Sequence, residues 1–230
     1  WFILSFVEKQ VLDSPFTKKE FLNLVKQFND DQDSFFDDFA ISHKTIVNIG
    51  TRDFVDYRPT IEINRSILED NSISNINFDS LHYFQVQKII QSKVYKSVIV
   101  KKSDIAVNLS LPKYYNDYLQ NLLKKNRHEL NRKKRKFLDL VNSFELQESR
   151  ENEIFNIFVS QHKKSKGEKG KFMTEDVETY FKELLKLDGW KIYYLNTDKG
   201  VVSTAFCYEN TNGCYLYNSS RDNEFNSINP

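Results

Sequence analysis

Cysteine is nearly absent from this chain. Its 230 residues hold only Cys207 and Cys214, with no CxxC and no Cys/His spacing suited to zinc. That excludes a disulfide-rich secreted scaffold and a structural zinc site, and no metal is expected. Net charge is nearly absent too: 33 Lys+Arg against 32 Asp+Glu leave +1, so no whole surface is built for a polyanion and any basic site must be local. Long apolar runs are missing as well. The longest, Trp1 to Val7, is broken by Ser5 and ends at Glu8 and Lys9, far short of the ~18–20 residues a membrane span requires. A soluble, cytoplasmic protein without a membrane span is the expectation. Glycine (6) and proline (4) are scarce, and alanine occurs only at Ala40, Ala106 and Ala205. What is there instead is aromatic: 19 Phe and 12 Tyr. This bias reads as partly genomic, because Lys, Asn and Ile swell alongside. With 40% hydrophobic and 28% charged residues the chain can bury a core, which rules out disorder throughout. It opens at Trp1 without an initiator Met and stops at Pro230 without a closing element, so it reads as a fragment truncated at both ends.

Apolar spacing gives the elements. Ser14 and Pro15 signal a helix start, and Phe16, Phe21, Leu22, Leu24, Val25 and Phe28 follow largely at helical spacing. Lys44 to Ile49 reads as a short strand, residues 51–59 as a strand end turning into a loop before Pro59, and the β-branched run Lys93 to Val100 as another strand. From Tyr115 to Val141 a 3.6-residue period predicts one long helix or two. Glu151 to Gln161 repeats that period, Lys163 to Lys171 has the composition of an exposed flexible loop, and Thr174 heads a helix that Asp188 and Gly189 end. Three strands close the chain, Trp190–Leu195, Val201–Tyr208 and Cys214–Ser219, joined by NTDKG and ENTNG, both carrying hairpin-turn residues. Helices followed by an antiparallel meander mean α+β, not a doubly wound parallel sheet.

The order and the residues together carry a resemblance. LPKYYNDYL (Leu111–Leu119), NRHELNRKKRKF (Asn126–Phe137), FVSQHKKSKGEKGKF (Phe158–Phe172) and the stretch from Gly189 to Pro230 resemble the GNAT-type acetyltransferase domain of cellulose-biosynthesis-associated proteins, related to the Fem aminoacyltransferases. DFVDYRP (Asp53–Pro59) is similar to that family's Asp-Tyr segment at the end of its first lobe. The resemblance implies a tandem two-lobe GNAT-like arrangement: a partial lobe over residues 1–104 and an acetyltransferase lobe over 105–230 that is incomplete after Pro230. It also implies transfer of an acyl group from acetyl-CoA or another acyl-CoA to an amine of a sugar or cell-envelope precursor. Such chemistry needs a base for the amine, a donor for the thioester oxyanion and a cradle for the pyrophosphate. In GNAT folds the donor is a backbone N–H on the strand corresponding to Cys214–Ser219, and the cradle would lie beyond Pro230.

Candidate residues follow from the same match. His162, which ends the third helical stretch, is the candidate base. Tyr217 has an O–H suited to protonating a departing thiolate, and alternation puts it on the same side of its strand as Tyr215. Ser219, Arg221 and Asp222 follow at the strand end, where the cleft mouth is expected. Asp56 and Tyr57 sit where the family has its Asp-Tyr pair, and a carboxylate there would position an amine. Arg127 and Arg132 lie in the densest basic run, Lys124 to Lys136, and an Arg fork binds carboxylate or phosphate bidentately. Each also has a plainer reading: a turn-capping Asp, a solvated basic helix face, a histidine at a helix C-terminus, a core Tyr. Cys207 and Cys214 read as buried small hydrophobes. The expected partner is a small-molecule or glycan amine. Two alternatives stand beside this: a Fem-like donor, aminoacyl-tRNA, which would place the basic run on RNA, and a non-catalytic nucleic-acid or partner-binding module.

Overall fold

Residues 14–28, 32–35, 39–50, 54–56, 58, 73–92, 95–102 and 107–226 are described by a computed structural model of the chain. They divide between two units, Trp1–Ala106 and Val107–Pro230.

In the first unit Pro15 opens a 3-10 turn, Pro15–Thr17, that leads into α1 (Lys19–Gln27). The apolar period buries Phe16, Phe21, Leu22, Leu24 and Val25, with the Phe16 and Phe21 rings edge-on at 5.3 Å. Strands β1 (Ser34–Phe35), β2 (Phe39–Ser42), β3 (Thr45–Asn48) and β4 (Asn75–Asn77) form one sheet in that order, β3 and β4 parallel. Helix α2 (Tyr83–Ser92) follows. Arg58 is fully buried here. Its guanidinium donates to Ile49 O, to Gly50 O at 2.7 Å and to Asp79 Oδ1 at 3.0 Å, so each branch finds an acceptor and the buried charge is tolerated. The strand expected over Lys93–Val100 is a correction. Residues 95–102 form no strand, and Val98, Ile99 and Val100 are 42%, 85% and 54% exposed. β-branched residues favour a strand only when a neighbouring strand supplies the hydrogen bonds and covers one face.

In the second unit the period from Tyr115 gives two helices, α3 (Tyr115–Asn121) and α4 (Lys124–Leu138), separated at Leu122 and Leu123. Then come β5 (Phe144–Ser149), α5 (Asn152–Lys163), α6 (Glu168–Phe172), α7 (Glu175–Leu184), β6 (Trp190–Thr197), β7 (Gly200–Asn210) and β8 (Gly213–Arg221). The segment expected as a flexible loop is helical over α6, with Lys171 paired to Glu168 at 2.8 Å one turn earlier. Thr174 caps α7 as expected, its hydroxyl accepting from the Val177 N–H at 3.3 Å. The sheet is antiparallel throughout, in the order β5-β6-β7-β8.

Helices α5 and α7 lie on one face of that sheet. Phe158 of α5 stands 5.4 Å from Phe181 of α7 and 5.5 Å from Phe206 of β7, and Phe181 meets Phe206 edge-on at 4.8 Å. Trp190, Ile192, Val202 and Thr204 are buried on the same face. Arg150, just after β5, donates to Leu185 O and to Leu187 O, satisfying carbonyls at the end of α7. Asp198, in the β6–β7 turn, accepts from the Asn142 N–H at 2.9 Å, the Asn142 side chain at 2.8 Å and the Ser143 N–H at 3.3 Å. These bonds hold its carboxyl below the usual carboxylate range.

Gly189 joins α7 to β6 with φ +83°, and an added Cβ would stand 2.9 Å from Glu209 O and 2.5 Å from the Tyr208 ring. Gly189→Ala is therefore expected to cost about 1–3 kcal/mol, combining left-handed strain with overlap. Urea unfolding should show a lower midpoint at an unchanged slope.

Candidate active site

The site forms where the last turn of α5 meets a defect in β8. Phe206 pairs with Asn218 while its neighbour Cys207 pairs with Leu216, so Tyr217 is an extra residue, a β-bulge. Regular alternation would send Tyr217 and Asn218 to opposite faces. The bulge turns both toward the helices: Tyr217 packs at 5.5 Å from Phe181 and 5.1 Å from Trp190, and Asn218 reaches α5. Ser219, paired with Ala205, falls on the other face. Tyr217 therefore does not share a face with Ser219, because a period of two does not survive an inserted residue.

Asn218 was not among the expected residues, and it organises the site. Its Oδ1 accepts from the Ser219 N–H at 2.7 Å and lies 3.0 Å from His162 Nε2. An oxygen already facing one donor leaves His162 to supply the other, so Nε2 carries the ring proton and Nδ1 holds a lone pair. Nδ1 is buried and makes no hydrogen bond. His162 as a whole is 1% exposed, between the rings of Phe158 at 5.7 Å and Phe172 at 5.9 Å. Burial lowers its pKa below the ordinary 6.5, Asn218 and the Lys169 backbone work in the opposite direction, and the positive Lys169 side chain adds to the lowering. The imidazole is therefore neutral at physiological pH with its basic nitrogen unspent.

Polar groups continue this seam. Gln161 donates to Val201 O at 2.7 Å and accepts from Ser220 Oγ at 3.0 Å, and Ser220 meets Thr204 at 2.6 Å. The buried side chains of Gln161, Ser220 and Thr204 therefore each have a partner, and the C-terminal turn of α5 is fixed against β7 and β8. The Tyr217 hydroxyl lies 3.1 Å from the hydroxyl of Tyr180, whose pKa burial pushes up while the bond to Tyr217 pulls it down. The buried phenol therefore stays protonated. Beyond β8, on the side away from β7, no strand stands among the described residues.

The other expected residues do local work. Asp222 caps the 3-10 turn Asn223–Phe225, its Oδ1 accepting from the Glu224 N–H at 2.9 Å, and Arg221 donates to Asn226 Oδ1 at 2.8 Å. Arg132 spends its fork on Glu129 one turn earlier, at 2.8 and 2.6 Å, and Arg127 donates to Leu119 O at 3.3 Å. Asp56 is exposed in the first unit, and Tyr57 lies outside the described residues. Among the described residues no three His, Cys, Asp or Glu side chains stand together as a metal-binding group, and no helix is long and apolar enough to cross a membrane.

Residues 124–230 match the family model described as Acetyltransferase (GNAT) domain. The match takes in α4 and the whole β5–β8 sheet with its helices, and their α+β arrangement is consistent with a GNAT-like fold. No curated protein matches the chain.

Proposed function

We propose that the second unit transfers an acetyl group from acetyl-CoA to an amine, with His162 Nδ1 as the base. The observation that carries this reading is the tautomer held by Asn218 and the Ser219 N–H, which leaves an unpartnered lone pair beside the bulged strand; the match to the acetyltransferase family supports it. The amine nitrogen attacks the thioester carbonyl, the C–N bond forms and the C–S bond breaks. The proton lost from the amine passes to Nδ1, and the departing thiolate takes a proton from the Tyr217 hydroxyl, which Tyr180 orients. Backbone N–H groups on the outer edge of β8 suit the thioester oxyanion. Phe172 stands against the imidazole, so the amine reaches Nδ1 by displacing the segment around α6. An acceptor amine on a sugar or cell-envelope precursor, and kinship with the Fem enzymes, are proposed from the resemblance alone.

A donor carried on tRNA is the second reading, favoured by α4, a helix with no buried residue and a basic run from Lys124 to Lys136 broken only by Glu129 among charged side chains of opposite sign. The two donors separate in one experiment on the full-length protein. Acetyl-CoA is expected to raise the melting temperature and to release free thiol when a panel of amino sugars is added. No shift and no thiol release would overturn the reading. RNA binding that weakens steeply with salt, without a response to CoA, would install the second.

A further inference from the structure

The face of the β5–β8 sheet turned away from the helices carries a second cluster that acetyl transfer does not use. Cys207 pairs with Leu216 and Glu209 with Cys214, so the two cysteines are diagonal neighbours on adjacent strands, on the same face. Cys207 is buried and Cys214 is exposed. Their sulfurs are hydrogen-bonded to each other. Around them lie Lys191, which bridges Glu148 and Glu209 at 3.0 Å each, and Tyr193, whose hydroxyl donates to Glu209.

The geometry points to a thiol-oxidation site in which exposed Cys214 attacks a hydroperoxide and Cys207 closes a reversible intramolecular disulfide. In the first step the Cys214 sulfur attacks the peroxide, an S–O bond forms, the O–O bond breaks, and one water or alcohol leaves; the sulfur becomes a sulfenic acid. In the second, the Cys207 sulfur attacks Cys214, the S–O bond breaks, and the Cys207 proton leaves with the hydroxyl as water. Two electrons have passed from the thiols to the peroxide. A thiol partner holds the disulfide form open to reduction.

The electrostatics suit this order. The hydrogen bond from Cys207 lowers the Cys214 thiol to about 7, with Lys191 acting in the same direction and burial and Glu209 against it. The bond to Cys214 and burial push Cys207 up. The exposed sulfur is therefore the one that ionises first and reacts first, since the thiolate is the nucleophile. The disulfide would also span the last regular pair before the Tyr217 bulge.

The test uses the reduced full-length protein and hydrogen peroxide. Wild type is expected to lose both titratable thiols and a mass of two hydrogens, with a single peptide cross-link between Cys207 and Cys214 that dithiothreitol reverses. Cys207→Ser is expected to trap a dimedone-reactive sulfenic acid at position 214, and Cys207→Ala, which donates no hydrogen bond, to move the pH midpoint of Cys214 alkylation by iodoacetamide upward. Cys214→Ser is expected to leave Cys207 unmodified at the same dose. Both thiols surviving in wild type, a cross-link between chains, or stable sulfenic or sulfinic acid at Cys214 with Cys207 intact would each overturn it.

Discussion

His162→Gln is expected to lower kcat for acetyl transfer by about 10²–10⁴-fold, the ordinary contribution of a positioned base. Glutamine is the informative replacement because its amide can still donate to Asn218 from the place of Nε2, while nothing basic remains at Nδ1. Stability should change little, so the loss would report proton transfer and not collapse of the site. The pH profile supplies the sign. The base works only when neutral, and burial places its pKa below the ordinary 6.5, so the wild-type rate is expected to hold its plateau into mildly acidic solution before falling. Asn218→Ala removes an interaction that favours the charged imidazole, and its limb is expected to move to still lower pH, together with a smaller loss of rate from the freed tautomer. A plateau ending above 6.5, or a His162→Gln variant with full activity, would remove His162 from the mechanism. The same shift bears on folding. A histidine buried neutral binds fewer protons folded than unfolded, so its contribution is complete above the unfolded pKa and is lost as the pH falls through the folded one.

Phe206→Ala is the variant expected to cost most in stability, about 3–5 kcal/mol, the range for removing a fully buried aromatic side chain. Phe206 has no exposed surface, and its ring touches Phe158, Phe181, Trp190 and Tyr217 at 4.8–6.4 Å. No single neighbour can fill the space, since each is held by another ring: Phe158 by His162, Tyr217 by Trp190. Thermal unfolding of the variant should also lose near-ultraviolet signal from Trp190 before the transition. A loss under about 1 kcal/mol would mean that the core closes over the cavity and that its rings are not close-packed.

These two residues differ in how far they could be read from the chain. Helices α5 and α7 and the β6–β8 meander follow from local pattern, because 3.6-residue spacing, a Thr cap and Asn-, Asp- and Gly-bearing turns act within a few residues. Strand β5 does not. FELQES offers two apolar positions, Phe144 and Leu146, and both remain more than half exposed; what makes it a strand is pairing with β6, more than 40 residues later. The run Val98, Ile99 and Val100 is the converse, rich in strand formers with no strand beside it among the described residues. His162 was legible from its place at a helix end. Its partner was not: a bulge leaves no mark on an alternating pattern, and Asn218 is a residue strands disfavour, which was the one local signal that its side chain has other work. The Arg127 and Arg132 forks looked available in sequence because their acceptors, Leu119 O and Glu129, are decided only by the turn between α3 and α4 and by the helical repeat.

The β6–β7 turn has a practical side. A two-residue exposed hairpin tip is where a peptide tag or a fluorescent domain would ordinarily be inserted with least harm. At Asp198 that convenience is deceptive. Its carboxylate ties down Asn142 and Ser143, the residues that feed the outermost strand into the sheet, so lengthening the tip would unfasten β5 at its first residue. The β7–β8 tip is the better graft point. Asn210 closes that turn, accepting from the Asn212 and Gly213 N–H groups, and rebuilding the tip there leaves the fastening of β5 at Asn142 and Ser143 untouched.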